Sequence, residues 1–319
     1  MKKIIILFFG LISGASAFGQ GHYTGSSFNP NDYFAPHPGW IIPVWYGYAN
    51  MDYHNASGQK SDQLINPAPG NPTELHIKQN VKTNSFILMA IYGGKGKVLG
   101  ANWGMMIIPT LNSPTANIAL DYYSSQTGSG NYVFTNKSIG FGDMYIQPIW
   151  LSWTKGKFSY AVNYGVWAPT GKYKPHDLDN GGHGYWSHNI RVAGKVKPTS
   201  KTNLSIATTL EVNQWQKDTD FKEASHFTID AGGSFVLDSR GDEIGLFGHY
   251  TTQVGNDKGT NGGFASDQIA GIGAFASYWI VPMKIGLMGR ITQNFAVENR
   301  FGGTAIQVGL NFLIPSTNH

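Results

Sequence analysis

Twelve runs of this chain alternate large apolar residues with small or polar ones, and the segments between them are by turns long and short. Phe158–Ala168, reading FSYAVNYGVWA, shows the unit. Phe158, Tyr160, Val162, Tyr164 and Val166 share one parity, while Ser159, Ala161, Asn163 and Gly165 share the other. A period of two specifies a strand with one apolar face and one polar or cramped face. A run of about ten residues is what a tilted strand needs to cross a bilayer. The run 144–153 precedes it across the short turn Thr154-Lys155-Gly156-Lys157, and a long polar loop, 169–185, follows it.

The same rhythm holds along the chain. Strand-like runs fall at 40–50, 83–92, 98–109, 186–196, 203–215, 225–237, 243–254, 267–280, 283–296 and 303–314. The connectors 52–80, 110–138, 169–185, 216–224, 255–266 and 297–302 are polar and rich in turn formers, and are read as the long loops. Those at 93–97, 154–157, 197–202, 238–242 and 281–282 are short turns. Outer-membrane barrels have short turns at one rim and long loops at the other. A Greek-key sandwich has no reason to alternate in this way. Charge placement agrees: Arg191, Lys195, Glu211, Asp230, Lys284 and Arg290 lie on the parity opposite the large apolar residues. A lipid-facing charge near the bilayer midplane costs about 2–4 kcal/mol, whereas a lumen-facing one is hydrated or paired. The expected fold is therefore all-β, an antiparallel up-and-down transmembrane β-barrel of about twelve strands.

The ends of the chain complete the organisation. Met1-Lys2-Lys3, the apolar run 4–12 and Ala15-Ser16-Ala17 have the pattern of a signal peptide, so residues 1–17 are expected to be cleaved on export to the outer membrane. Residues 18–38, rich in Gly, Ser, Asn and Pro, read as a flexible leader; 39–314 is the barrel and 315–319 a C-terminal tail. Loss of Lys2 and Lys3 takes the formal charge from +4 to +2, and no Lys/Arg block points to nucleic acid. With no cysteine, neither disulfides nor thiolate chemistry is available. The high count of aromatic residues and glycine, with only 13% charged residues, fits a barrel with aromatic girdles and a crowded interior.

Several stretches, taken in order, resemble one family. They are His37-Pro38-Gly39-Trp40, then Asn55-Ala56-Ser57-Gly58, Gly140-Phe141-Gly142-Asp143 ahead of Pro148 and Trp150, and Ala168-Pro169-Thr170-Gly171-Lys172-Tyr173. Tyr185-Trp186 and Gln253-x-x-Asn256-Asp257-Lys258 follow. Over residues 37–314 the chain resembles the MetA-like proteins of the phenol meta-degradation pathway. The resemblance implies an outer-membrane barrel through which small, often hydrophobic or aromatic molecules cross, embedded in outer-membrane lipid and inserted by the barrel-assembly machinery.

The chemistry-bearing residues support no sharper reading. His176, Asp177, Asp179, His183 and His188 in and beside the loop 169–185 match no zinc spacing, and turn-rich loops collect such residues. Asp143 reads as a turn residue at a strand start. His226, His249 and several serines have no spacing that singles out nucleophilic catalysis, so neither an enzyme nor a cofactor is expected. The expected lumen-lining residues are Asn163, Arg191, Glu211, Asp230, Gln253 and Arg290. Their mixed signs argue for passive, weakly selective uptake of small neutral or hydrophobic solutes. Tyr160, Tyr164 and Trp167 are assigned to the outer aromatic belt. The alternative is a barrel that does not transport: an adhesin, a structural protein or a membrane-embedded hydrolase.

Overall fold

A computed structural model describes residues 21–22, 29–60, 62–66, 73–124, 128–175, 177, 179–259 and 266–316. The signal-peptide reading of 1–17 lies outside these residues, as does His176. The chain is a closed antiparallel barrel of twelve strands. β1 is Gly39–His54, β2 is Thr73–Leu88 continued by Ala90–Gly93, and β3 is Asn102–Ile108 continued by Thr110–Ser124. β4, Met144–Lys155, is prolonged at its start by Gly128–Lys137 and Gly140–Phe141. β5 is Phe158–Ala168, β6 Ser187–Val196, β7 Thr202–Asn213, β8 Ser225–Val236 and β9 Glu243–Val254. β10 is Gln268–Val281, β11 Ile285–Glu298 and β12 Arg300–Pro315. Each strand pairs with its sequence neighbours, and β1 closes on β12 from Gly39↔Pro315 to His54↔Arg300. Closure leaves no strand edge within the barrel wall, which hydrocarbon would otherwise leave unsatisfied.

The parity read from the sequence is the parity of the wall. Val162, Ile190, Val192, Leu204, Ile206, Leu210, Ile229 and Leu246 point outward and are exposed. Ala161, Asn163, Asn189, Arg191, Ala193, Ala207, Thr209, Glu211 and Asp230 point inward and are buried. Two positions differ. Trp167 shares the inward parity of Ala161 and Asn163, undisturbed by the register shift opposite Ile149 and Ile146, which lies in β4, and it packs against Tyr145 with ring centroids 4.8 Å apart. Trp167 therefore does not belong to the outer belt. Gly165 makes room there, since a Cβ on it would collide with the Tyr145 phenol. Lys284 lies in the turn between β10 and β11 rather than on the inward face.

The connectors correct the sequence reading at the long-loop rim. Most of the segment expected as the loop 110–138 is strand: Thr115–Ser124 pairs with Gly128–Lys137, beyond the end of β5. Strand Asp62–Asn66 adds to β2 inside the expected loop 52–80. The connection from β11 to β12 is Asn299 alone, at φ 52°, so the alternation of long and short fails at its last member. Asn tolerates the left-handed region better than most residues, which suits so tight a connection.

Residues 29–38 enter the barrel. The Asp32 side chain accepts from the Asn29 amide at 3.1 Å across the single turn Pro30–Tyr33. The Tyr33 ring then packs on Ala161, Ala193 and Ala207, with Phe34 beside it. These three alanines are register partners on β5, β6 and β7, so the wall offers a shelf of small side chains where the ring needs space. Gly39 starts β1 at the short-turn rim, while Gly21 and His22 bond Glu223, Glu211, Ser187 and Asp143 at the long-loop rim. The described parts of the N-terminal segment thus stand at both ends of the lumen.

Candidate transport lumen

The lumen is polar because its wall positions are, and much of that polarity is spent on the segment inside it. In the lower half, the Tyr33 carbonyl accepts from Trp150 Nε1 at 3.0 Å and from Asn163 Nδ2 at 3.1 Å. The Arg191 guanidinium lies 4.9 Å from the Tyr33 ring centroid and donates through Nε to Thr209 Oγ1 at 2.9 Å. Lys195 Nζ sits 4.2 Å from the Phe34 ring centroid. Asn31 Nδ2 donates to Ser234 Oγ at 3.1 Å and to Glu243 Oε1 at 2.7 Å. Cation–ring contacts in a desolvated space contribute on the order of 1–2 kcal/mol each.

At the long-loop end, His22 is held on every side. Its Nε2 bonds Asp143 Oδ2 at 2.7 Å, its Nδ1 bonds Ser187 Oγ at 2.6 Å, and its ring stacks on Trp167 at 5.4 Å. Asp143 also accepts from the backbone of Gly171 at 2.9 Å and of His183 at 2.6 Å, which ties the loop 169–185 to the same carboxylate. Burial opposes ionisation of Asp143. The bond from His22 and the nearness of His22 and His183 outweigh it and hold the carboxyl below its ordinary value. His183, pressed into this cluster, is pushed down to about 3, mainly by burial.

A second network lies beside the first. Asp267 accepts from Arg300 Nη1 at 2.8 Å and pairs with His226 Nε2 at 2.8 Å. Burial raises the Asp267 pKa, but the Arg300 charge prevails and keeps it low. Glu223 bonds the Tyr185 hydroxyl and the Gly21 amide, and its pKa is raised, chiefly by burial.

All six residues expected to line the lumen face inward, but they do not form one cluster. Asn163 and Arg191 are cross-strand partners and meet at Tyr33. Glu211 accepts the His22 amide at 2.8 Å. Asp230 sits opposite His249 in register. Gln253 bonds Gly255 O at 3.1 Å and the Asp267 amide at 3.2 Å, and Arg290 Nε bonds Gln307 Oε1 at 2.8 Å. The residues of the loop 169–185 scatter instead. Asp177 and Asp179 lie 3.9 Å from Lys174 and Lys172, and His188 bonds the Tyr164 hydroxyl on the outer face at 2.8 Å. Sequence reasoning missed the partners inside the lumen: Tyr33, His22, Trp167, Glu223, Asp267 and Arg300. Only the placement of Asp143 and Trp167 beside an inward strand end gave any local signal.

No curated protein matches the chain. Its fold is similar to the crystal structure of an outer membrane channel from Pseudomonas putida F1. The TM-score is 0.64 at 15% sequence identity, over 90% of this chain and 100% of that one. A weaker likeness, with a TM-score of 0.41 and 11% identity over 94% of each chain, is to a FadL homologue from Pseudomonas aeruginosa. The family described as "Putative MetA-pathway of phenol degradation" matches residues 65–310, and the chain belongs to that family.

Proposed function

We propose that this protein is an outer-membrane barrel for passive uptake of small hydrophobic or aromatic solutes, without enzymatic activity, reaching the membrane after loss of residues 1–17. The observation that carries the reading is the division of the wall: a continuous apolar outer face around an inner face that keeps charges of both signs. Balanced charge disfavours a selective ion path, and the N-terminal segment crowds the lumen against large hydrated solutes. In this reading the long loops face outward, and Asn163, Arg191, Glu211, Asp230, Gln253 and Arg290 govern passage. The family description and the likeness to an outer membrane channel support transport as the class of activity. The test is uptake of a panel of small aromatic and aliphatic solutes by cells with and without the gene, at solute levels low enough for entry to limit. Faster uptake of some members is expected; unchanged uptake of all of them would leave an adhesive or structural barrel.

A further inference from the structure

The arrangement around Gly21 has a chemistry of its own. His226, on β8, is 1% exposed, and its Nε2 faces Asp267 Oδ2 at 2.8 Å, with Asp267 fixed in turn by Arg300. An acceptor on that side puts the imidazole proton on Nε2 and leaves the lone pair on Nδ1. Nδ1 has no hydrogen-bond partner among the described residues. A buried polar atom without a partner is costly and calls for an explanation. A carboxylate holding the far nitrogen of an imidazole is the support that metal-binding histidines characteristically have.

Two carboxylates converge on the same place. Glu211 is the register partner of His226 on β7, and Glu223 stands three residues before His226, with its Oε1 at 3.8 Å from His226 Nε2. The Gly21 amide bonds Glu223 Oε1, and the His22 amide bonds Glu211 Oε1. A Cβ added to Gly21 would meet Glu211 Oε1 and lie 3.0 Å from His226 Nδ1. Glu223 and His226 offer ligand atoms within 4.8 Å of one another. We propose that His226 Nδ1, Glu211 and Glu223 form a binding site for a divalent cation of the zinc type at the long-loop end of the lumen, and that this cation and the Gly21-His22 tip exclude one another there.

One imidazole and two carboxylates match the donor preference and charge of such a cation, while calcium prefers an all-oxygen shell. Exclusion follows because the tip's two amides occupy the oxygens the cation needs. Binding and tip docking are then coupled reciprocally. The inference is independent of what the barrel carries.

The experiment is titration of the mature protein in detergent with Zn²⁺ alone, against a competing chelator. One Zn²⁺ per barrel is expected. Glu223→Gln and His226→Ala should each weaken binding tenfold or more. His22→Ala, which removes the Asp143 bond and loosens the tip, should strengthen it. Unchanged binding in His226→Ala would place the metal on other histidines and overturn the site. Unchanged or weaker binding in His22→Ala would overturn the exclusion. Should His226→Ala fail to insert, Cu²⁺ added to the wild type decides. Hyperfine coupling to a single imidazole nitrogen supports the site, and coupling to none or to several overturns it.

Discussion

At the scale of single residues, the two faces of one strand make opposite demands. Val162 on β5 is 40% exposed on the outer face, and its neighbour Asn163 is 2% exposed against Tyr33. Val162→Arg sets a charge against hydrocarbon and should cost about 2–4 kcal/mol if the site is near the midplane. Urea unfolding in lipid vesicles measures it. Asn163→Arg should still insert, because its side chain points inward, yet it should expel Tyr33 from the alanine shelf. The folded band on an unboiled gel should persist while protease cuts the N-terminal segment. Equal losses of insertion at the two positions would refute the assignment of faces. This part of the site was legible in the sequence, since parity alone separates Val162 from Asn163. What Asn163 touches was not, because its partner lies far along the chain and carries no period.

At the scale of elements, the strands that cross lipid were legible and those above it were not. In 115–121 the alternation is reversed: Ala116, Ile118 and Leu120 are buried inward, while Thr115, Asn117 and Asp121 face outward. Above the rim the outside is water, so the polar residues belong there; a search for an apolar outer face reads the segment as loop. The N-terminal segment escaped for another reason. Much of its order comes from the Ala161–Ala193–Ala207 shelf and from Arg191, Lys195, Glu211 and Glu243 on the wall, and no period in its own residues announces it. Tyr33→Ala should therefore release it, since truncating a buried aromatic costs about 3–5 kcal/mol, while barrel mobility on gels stays unchanged. Loss of the barrel itself would mean that the segment is part of the folding core. The loop 169–185 should answer to pH. Docking holds His183 neutral with a pKa of about 3, against 6.5 in the free loop. The free loop takes up the proton first, so docking is strongest above pH 6.5 and weakens as pH falls towards 3. Asp143, whose pKa is lowered, withdraws its contribution only below the ordinary carboxylate range. Hydrogen exchange at 181–184, corrected for intrinsic rates, should show less protection at pH 5 than at pH 7.5 in the wild type. In His183→Gln the two should be equal. A wild type equally protected at both values would dismiss this account.

At the scale of the whole molecule, the barrel is a wall whose strands hold one another, and the segment inside it is a separable occupant. Closure from β1 to β12 uses only wall strands, so removing residues 18–38 should leave the barrel inserted. In the proposed function, what then lines the path is a set of opposed charges: Arg191, Lys195, Arg290 and Arg300 against Glu211, Asp230, Glu243 and Asp267. Rings of one sign make an ion-selective pore; charges of both signs at similar depths largely cancel beyond a Debye length of about 8–10 Å. Two results follow for planar bilayers. The shortened protein should conduct several times more current than the intact one, because the Tyr33 and Phe34 rings no longer fill the lower lumen. Under a potassium chloride gradient its reversal potential should stay near zero, far from the limit for either ion. A reversal potential near one ion's limit would show that one sign controls the path, and the reading of these residues as a balanced lining would fall. Unaltered conductance would show that the segment does not obstruct the path, and control of passage would then belong to the long loops at the other rim.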